Sequence, residues 1–146
     1  MNKPASILCA VILLVGATIT EAQQPEKIFR IGFLNPTNAS DDAVRLEAFR
    51  QELRKLGWIE GKNIAFEYRF AEQKPERIPE LAAELVRLKV DLIVTSGNPP
   101  ALEAKKATTT IPIIISNTDP VALGLVASLA RPGGNVTGLS TLATEL

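Results

Sequence analysis

Three apolar runs in this chain end alike. Ile31-Gly32-Phe33-Leu34 leads into Asn35-Pro36, Leu92-Ile93-Val94-Thr95-Ser96-Gly97 into Asn98-Pro99, and Ile113-Ile114-Ile115-Ser116-Asn117-Thr118 into Asp119-Pro120. Each run has the pattern of a strand buried on both faces of a parallel sheet. The polar residue that closes it can act as an N-cap. Proline fits the first helical position, because its missing N–H has no use there. The chain therefore writes strand, turn, helix three times with the same punctuation. In a parallel α/β sheet such turns all fall at the carboxyl ends of the strands, where ligands bind.

The intervening residues extend the pattern. Ile28 to Leu34 reads as the first strand. Ser40-Asp41-Asp42 supplies a cap and N-terminal negative charge for a helix on which Leu46, Phe49, Leu53 and Leu56 recur at helical spacing, with Gly57 as its C′ residue. Ile64, Phe66, Tyr68 and Phe70 alternate with Ala65, Glu67, Arg69 and Ala71, the signature of a strand with one more exposed face, near a sheet edge. A second helix spans Glu76 to Leu88 with Ile78, Leu81, Leu85 and Leu88 as its buried stripe. Then come a strand over Val90 to Thr95, a short helix over Pro99 to Ala107 and a strand over Ile113 to Ser116. A helix over Val121 to Ala130 and a short strand over Asn135 to Leu139 complete the series. The order β-α-β-α-β-α-β-α-β predicts a parallel Rossmann-like sheet with helices on both faces. No Gly-x-Gly-x-x-Gly follows the first strand, and no P-loop sequence occurs.

Composition narrows the chemistry. The chain has 146 residues, no histidine and a single cysteine, Cys9, inside the N-terminal apolar segment. Ser-His-Asp and Cys-His catalysis and Cys/His zinc sites are thereby excluded within this chain. No acidic spacing points to a carboxylate metal site, and nothing calls for a cofactor. Sixteen basic residues balance sixteen acidic ones, which gives no basic footprint for nucleic acid.

The first residues read as an address. Met1-Asn2-Lys3 is a positive start, Ala5 to Ile19 is nearly all apolar, and Thr20-Glu21-Ala22 places small residues at −3 and −1 of a cleavage site. This is the three-part pattern of a secretory signal peptide, residues 1–22, cleaved after Ala22. The alternative is an uncleaved anchor, for which a run of about 15 apolar residues falls short of the roughly 20 needed to span. The pattern places the mature chain, residues 23–146, in a periplasm.

Several segments together carry a resemblance. Arg30-Ile31-Gly32-Phe33-Leu34, Phe49-Arg50-Gln51-Glu52-Leu53, Leu56-Gly57-Trp58-Ile59-Glu60-Gly61-Lys62-Asn63-Ile64 and Glu67-Tyr68-Arg69 occur in that order. Leu81-Ala82-Ala83-Glu84-Leu85-Val86, Ala107-Thr108-Thr109-Thr110-Ile111-Pro112-Ile113 and Leu129-Ala130-Arg131-Pro132-Gly133-Gly134-Asn135-Val136-Thr137-Gly138 follow. The set closely resembles the ABC-transporter substrate-binding proteins of the tryptophan/tyrosine-permease type, over Gln23 to Leu146. The resemblance implies a type I periplasmic-binding fold, two α/β lobes with a ligand between them, and a non-catalytic role. It further implies an aromatic amino acid or similar small molecule as ligand and an ABC permease as membrane partner. A ligand-sensing module for a membrane receptor uses the same site with a different partner. The family runs to about twice this length, so the chain reads as a signal peptide plus the N-terminal lobe, with the second lobe absent and ligand binding weakened accordingly.

Against that frame the strand ends supply the candidate site. In Ser96-Gly97-Asn98-Pro99-Pro100-Ala101, Ser96 offers a hydroxyl and Gly97 permits close backbone approach. The following helix offers an N-terminus from which Ala101 and Leu102 must supply the amides, since two prolines cannot. In Asn117-Thr118-Asp119, Asp119 either holds a ligand ammonium or caps the next helix. Asn35, after the first strand, and Ser140, with Thr141, after the fifth complete the set. Tyr68 and Arg69 read as strand packing and a solvated charge. Trp58 reads as a helix-end contact. Glu103, Lys105 and Lys106 read as a solvated helix face, and Thr108 to Thr110 as a loop.

Overall fold

A computed structural model of the chain describes residues 27–128 and 133–138. The signal segment, Leu129 to Pro132, and the residues from Leu139 on, Ser140 and Thr141 included, lie outside the described residues. Five parallel strands form one sheet: β1 (Phe29–Asn35), β2 (Ile64–Phe70), β3 (Leu92–Ser96), β4 (Ile113–Ser116) and β5 (Val136–Gly138), in the order β2-β1-β3-β4-β5. The crossovers are α1 (Ala39–Lys55), α2 (Ile78–Arg87), preceded by a 3₁₀ turn at Pro75–Arg77, and α3 (Asn98–Ala107). The α/β reading of the sequence holds, and β2 lies at a sheet edge as its alternation implies.

Strand alternation divides the side chains between two cores. Leu34, Ile93, Ile113 and Ile115 point to one face, where they meet Ile78, Leu81 and Leu85 of α2 and Ala101 and Ala104 of α3. Gly32 belongs to this face. A Cβ there would stand 2.9 Å from Leu85 Cδ2, so the glycine lets α2 approach the sheet. Ile31 and Phe33 point to the other face and pack with Leu46, Phe49 and Leu53 of α1. Leu56, expected to continue that stripe, is 75% exposed, because the helix has ended. It ends as Gly57 predicts. Gly57 adopts φ +89 and its N–H reaches Arg54 O at 3.0 Å, while Trp58 N–H reaches Leu53 O at 2.9 Å.

The repeated polar-proline punctuation has three different outcomes. After β1 the chain bends, and α1 starts at Ala39 with Asn38 extended in the cap position, so Ser40 lies inside the helix rather than capping it. Pro36 stands outside the helix, its carbonyl accepting from Gln73 N–H at 2.8 Å. After β3, Gly97 occupies the cap position at φ +86, and Pro99 and Pro100 fall in the first turn of α3. After β4, Asp119 Oδ1 accepts from the amides of Val121 (3.0 Å) and Ala122 (3.1 Å), a true side-chain cap.

The turn that Asp119 caps does not grow into the expected helix over Val121 to Ala130. Through Ser128 the chain makes turns instead. Leu123 N–H bonds to Asp119 O at 3.2 Å, but Gly124 takes φ +66 and Leu125 N–H returns to Pro120 O at 2.9 Å. One left-handed residue stops the coil and drops Leu125 and Val126 into the α2/α3-side core. Lys105 fixes this turn, donating to the carbonyls of Gly124 (3.2 Å) and Leu125 (2.8 Å), so it is not the solvated residue the sequence indicated. Arg69 is likewise paired, with Glu84 at 2.7 Å.

Candidate functional site

The strand order reverses between β1 and β3. From β1 the chain steps outward through α1 to β2, then crosses through α2 to β3 on the other side. In an open α/β sheet the crevice at such a point, beyond the carboxyl ends of the strands, is where ligands bind. The described residues form a cavity of about 310 Å³ there, between the first turns of α1 and the ends of β1, β3 and β4. Its polar lining is Asn35, Asp42, Arg45, Thr95, Ser96, Ser116 and Asn117, and its apolar lining is Phe33, Leu46, Phe49 and Val94.

Register explains how distant residues meet. Asn35 is opposite Phe70, Leu34 opposite Thr95, and Ser96 opposite Ser116, so the last residues of four strands form one row. Asn35 follows Ile31 and Phe33 on the α1 face by strand alternation. It is 6% exposed, and its carboxamide has no hydrogen-bond partner among the described residues. The Thr95 hydroxyl is also buried without a partner. Of the two, the Thr95 hydroxyl is cut off from solvent, while the Asn35 carboxamide opens onto the cavity, where water or a ligand can satisfy it. Asn117 adopts φ +54, and its Nδ2 donates to Ser96 Oγ at 3.1 Å. That contact ties the β4 turn to the β3 turn, as does Gly97 N–H to Ser116 O at 3.0 Å. Asp42, on α1, is 7% exposed; Thr37 Oγ1 donates to its Oδ2 at 2.6 Å and Arg45 pairs with its Oδ1 at 3.1 Å.

Of the residues singled out in the sequence, Asn35, Ser96 and Asn117 line the cavity. Gly97, Asn98, Ala101, Thr118 and Asp119 flank it and do different work. Ala101 is fully buried and its N–H bonds to Gly97 O at 3.4 Å, so the amide expected to face a ligand is consumed inside α3. Asn98 accepts a hydrogen bond from the Thr118 hydroxyl, which latches the two turns together. Asp119 caps its turn. Sequence reading passed over Asp42, Arg45, Phe49 and Ser116. Phe49 reads as an ordinary core position and Asp42 as a cap charge. Only the packing of α1 against the strand ends turns both toward one cavity.

Phe33 anchors an aromatic group beneath this cavity. Its ring meets Phe49 edge-on at 5.4 Å and stacks on Tyr68 at 5.3 Å. Arg50 lies over the Phe66 and Tyr68 rings and its Nε donates to the Tyr68 hydroxyl at 2.9 Å. Burial pushes the Tyr68 phenol above its ordinary pKa, against the opposing pull of the Arg50 charge. Among the described residues no group of three or more Asp, Glu, His or Cys could hold a metal ion.

Residues 38–145 match the model of a family described as ABC transporter substrate binding protein. A tyrosine-binding protein of Clostridioides difficile is 40% identical over 95 residues, which are 64% of this chain and 28% of that protein. A ligand-free, open substrate-binding protein from Clostridium difficile superposes with a TM-score of 0.70 at 33% identity, covering 76% of this chain and 38% of that one. An ABC domain from Streptococcus pneumonia in complex with L-Trp superposes at 0.70 with 27% identity, covering 78% and 39%. The chain thus spans between about a quarter and two fifths of the length of these relatives.

Proposed function

Because the chain belongs to the ABC transporter substrate-binding protein family, and its sheet is the α/β lobe of a type I periplasmic-binding fold, we propose that the β1–β3–β4 crevice is one wall of an amino-acid site. In this reading the chain is the N-terminal lobe of the extracytoplasmic solute-binding component of an ABC importer. Residues 1–22 export it to the periplasm, and a permease receives its ligand. The observation that carries the reading is Asn35: a carboxamide nine-tenths buried, unpartnered, in a cavity at the switch point. Phe33 and Phe49 in the lining suit an aromatic side chain. The tyrosine-binding relative and the L-Trp complex support the same ligand class. Among the described residues no helix is long and apolar enough to cross a membrane. One lobe supplies one wall of such a site, so residues 23–146 tested by themselves are expected to bind weakly.

Nuclear magnetic resonance detects binding in that weak range. Titrating the ¹⁵N-labelled chain with L-tryptophan is expected to shift the side-chain amide signals of Asn35 and Asn117, and Ser96→Ala is expected to weaken the response. Unmoved signals at millimolar L-tryptophan and L-tyrosine would sink the reading.

A further inference from the structure

The crevice presents different chemistry to the two ends of a zwitterion, and we propose that Asp42 is the group that makes it select for a ligand's ammonium. The inference rests on the amino-acid reading above and assigns the ligand's polarity within it. Ser96 Oγ accepts from Asn117 Nδ2 at 3.1 Å, so its own proton remains to be donated. The β3–β4 side of the crevice therefore suits an acceptor, such as a carboxylate. Helix α3 adds the Asn98 N–H and little else: Pro99 and Pro100 have none, and the amides of Ala101 and Gly97 are bonded to Gly97 O and Ser116 O.

The α1 side is the opposite. An ionised carboxylate only accepts, and Asp42 is 7% exposed in the cavity wall. Thr37 donates to one of its oxygens at 2.6 Å and fixes its orientation. The other oxygen meets Arg45, whose side chain is 65% exposed and is the kind of solvent-facing partner that adds little stability. Arg45 can swing out to solvent, which leaves a ligand ammonium to take its place against this buried carboxylate. Asn35, which can donate and accept, is free to bond either end. Asp119 does not share the role: it is exposed and lies outside the cavity lining, and its Oδ1 caps its own turn.

Three ligands separate the ends: L-tryptophan, tryptamine and indole-3-propionate, each titrated into the ¹⁵N-labelled chain with the Asn35 and Asn117 amides as readout. Asp42→Asn is expected to weaken L-tryptophan and tryptamine about tenfold and to leave indole-3-propionate unchanged. Ser96→Ala is expected to weaken L-tryptophan and indole-3-propionate and to spare tryptamine. Should Asp42→Asn fail to fold, Arg45→Gln carries the test: freeing the carboxylate raises tryptamine affinity several-fold. Equal losses on all three ligands, loss confined to indole-3-propionate, or an Arg45→Gln variant without a gain overturns the assignment of Asp42 and leaves the amino-acid reading standing. Silence of both amides toward L-tryptophan in the unaltered chain overturns both.

Discussion

The two faces of the sheet are built to different standards. On the α2/α3 face, two helices and the 120–126 turn cover Leu34, Ile93, Ile113 and Ile115, all of them 0% exposed. On the α1 face, a single described helix packs over Ile31, Phe33 and Ile64, while Leu92 and Val94 are only partly buried. The closed face is aliphatic and dense. The half-covered face is aromatic around Phe33 and opens into the crevice at its carboxyl end. Stability and ligand access pull against each other on a single surface, and with the proposed site in the crevice the two fall on opposite sides of this sheet. Dense packing resists opening, whereas a site needs volume next to polar groups.

Adjacent residues of β3 test this most sharply, because Ile93 faces the closed side and Val94 the half-covered one. Ile93→Ala is expected to cost about 3 kcal/mol, the range for a buried aliphatic side chain whose cavity cannot collapse. Val94→Ala already borders a cavity and solvent and is expected to cost about 1 kcal/mol. Urea denaturation of both variants gives the comparison. Equal costs would mean that the α1 face is as closed as the other.

The next effect belongs to the half-covered face alone. Arg50→Ala removes a guanidinium over two rings and its bond to the Tyr68 hydroxyl, at an expected cost of about 1 kcal/mol. Tyr68 is the only tyrosine of the chain, so tyrosinate absorbance reports it alone. Its ionisation is expected above the ordinary value of about 10. Burial is the larger cause and Arg50 opposes it, so the variant should titrate still higher. Because the folded-state pKa is raised, the contribution to stability is whole below the unfolded value and fades as pH climbs through the folded one. A variant that titrates at or below the unaltered chain would show that the stack, not burial, governs this ring.

Much of this architecture was legible in the residues. β4 spans Ile113–Ser116 as its apolar run implies, and Gly57 ends α1 where helical spacing requires a left-handed residue. The edge position of β2 follows from its alternation. The helix expected after Asp119 was not legible as a turn. The apolar spacing of Val121 to Ala130 fits a helix, and what overrides it is Gly124 together with two bonds from Lys105 arriving from α3. The lining of the candidate cavity was legible in part. Strand ends announce Asn35, Ser96 and Asn117 because their positions follow from topology. Asp42 and Arg45 come from a helix whose rotation over the sheet only packing fixes, and the Ala101 amide turns inward to close the first turn of α3, which its sequence does not announce.

The smallest effect lies at the amino end of the strands, away from the crevice. Asp91 enters β3 and accepts from Lys27 Nζ and from the Arg30 N–H at 2.9 Å, joining β1 to β3. The Lys27 hydrogen bond is the chief reason its carboxyl is held below the ordinary range. A depressed folded-state pKa contributes stability that is present above the unfolded value, about 3.9, and is lost as pH falls through the folded one. Asp91→Asn should therefore be slightly less stable than the unaltered chain at pH 7, and the gap should close as pH drops below about 4. Lys27 is 76% exposed, so screening keeps the difference under about 1 kcal/mol and added salt shrinks it further. Thermal denaturation from pH 7 to pH 3, at low and high salt, measures it. A gap as large as that of Ile93→Ala, or one that survives at pH 3, would place a main support of the sheet at its strand starts, and the contrast between the two faces would no longer account for where the stability lies.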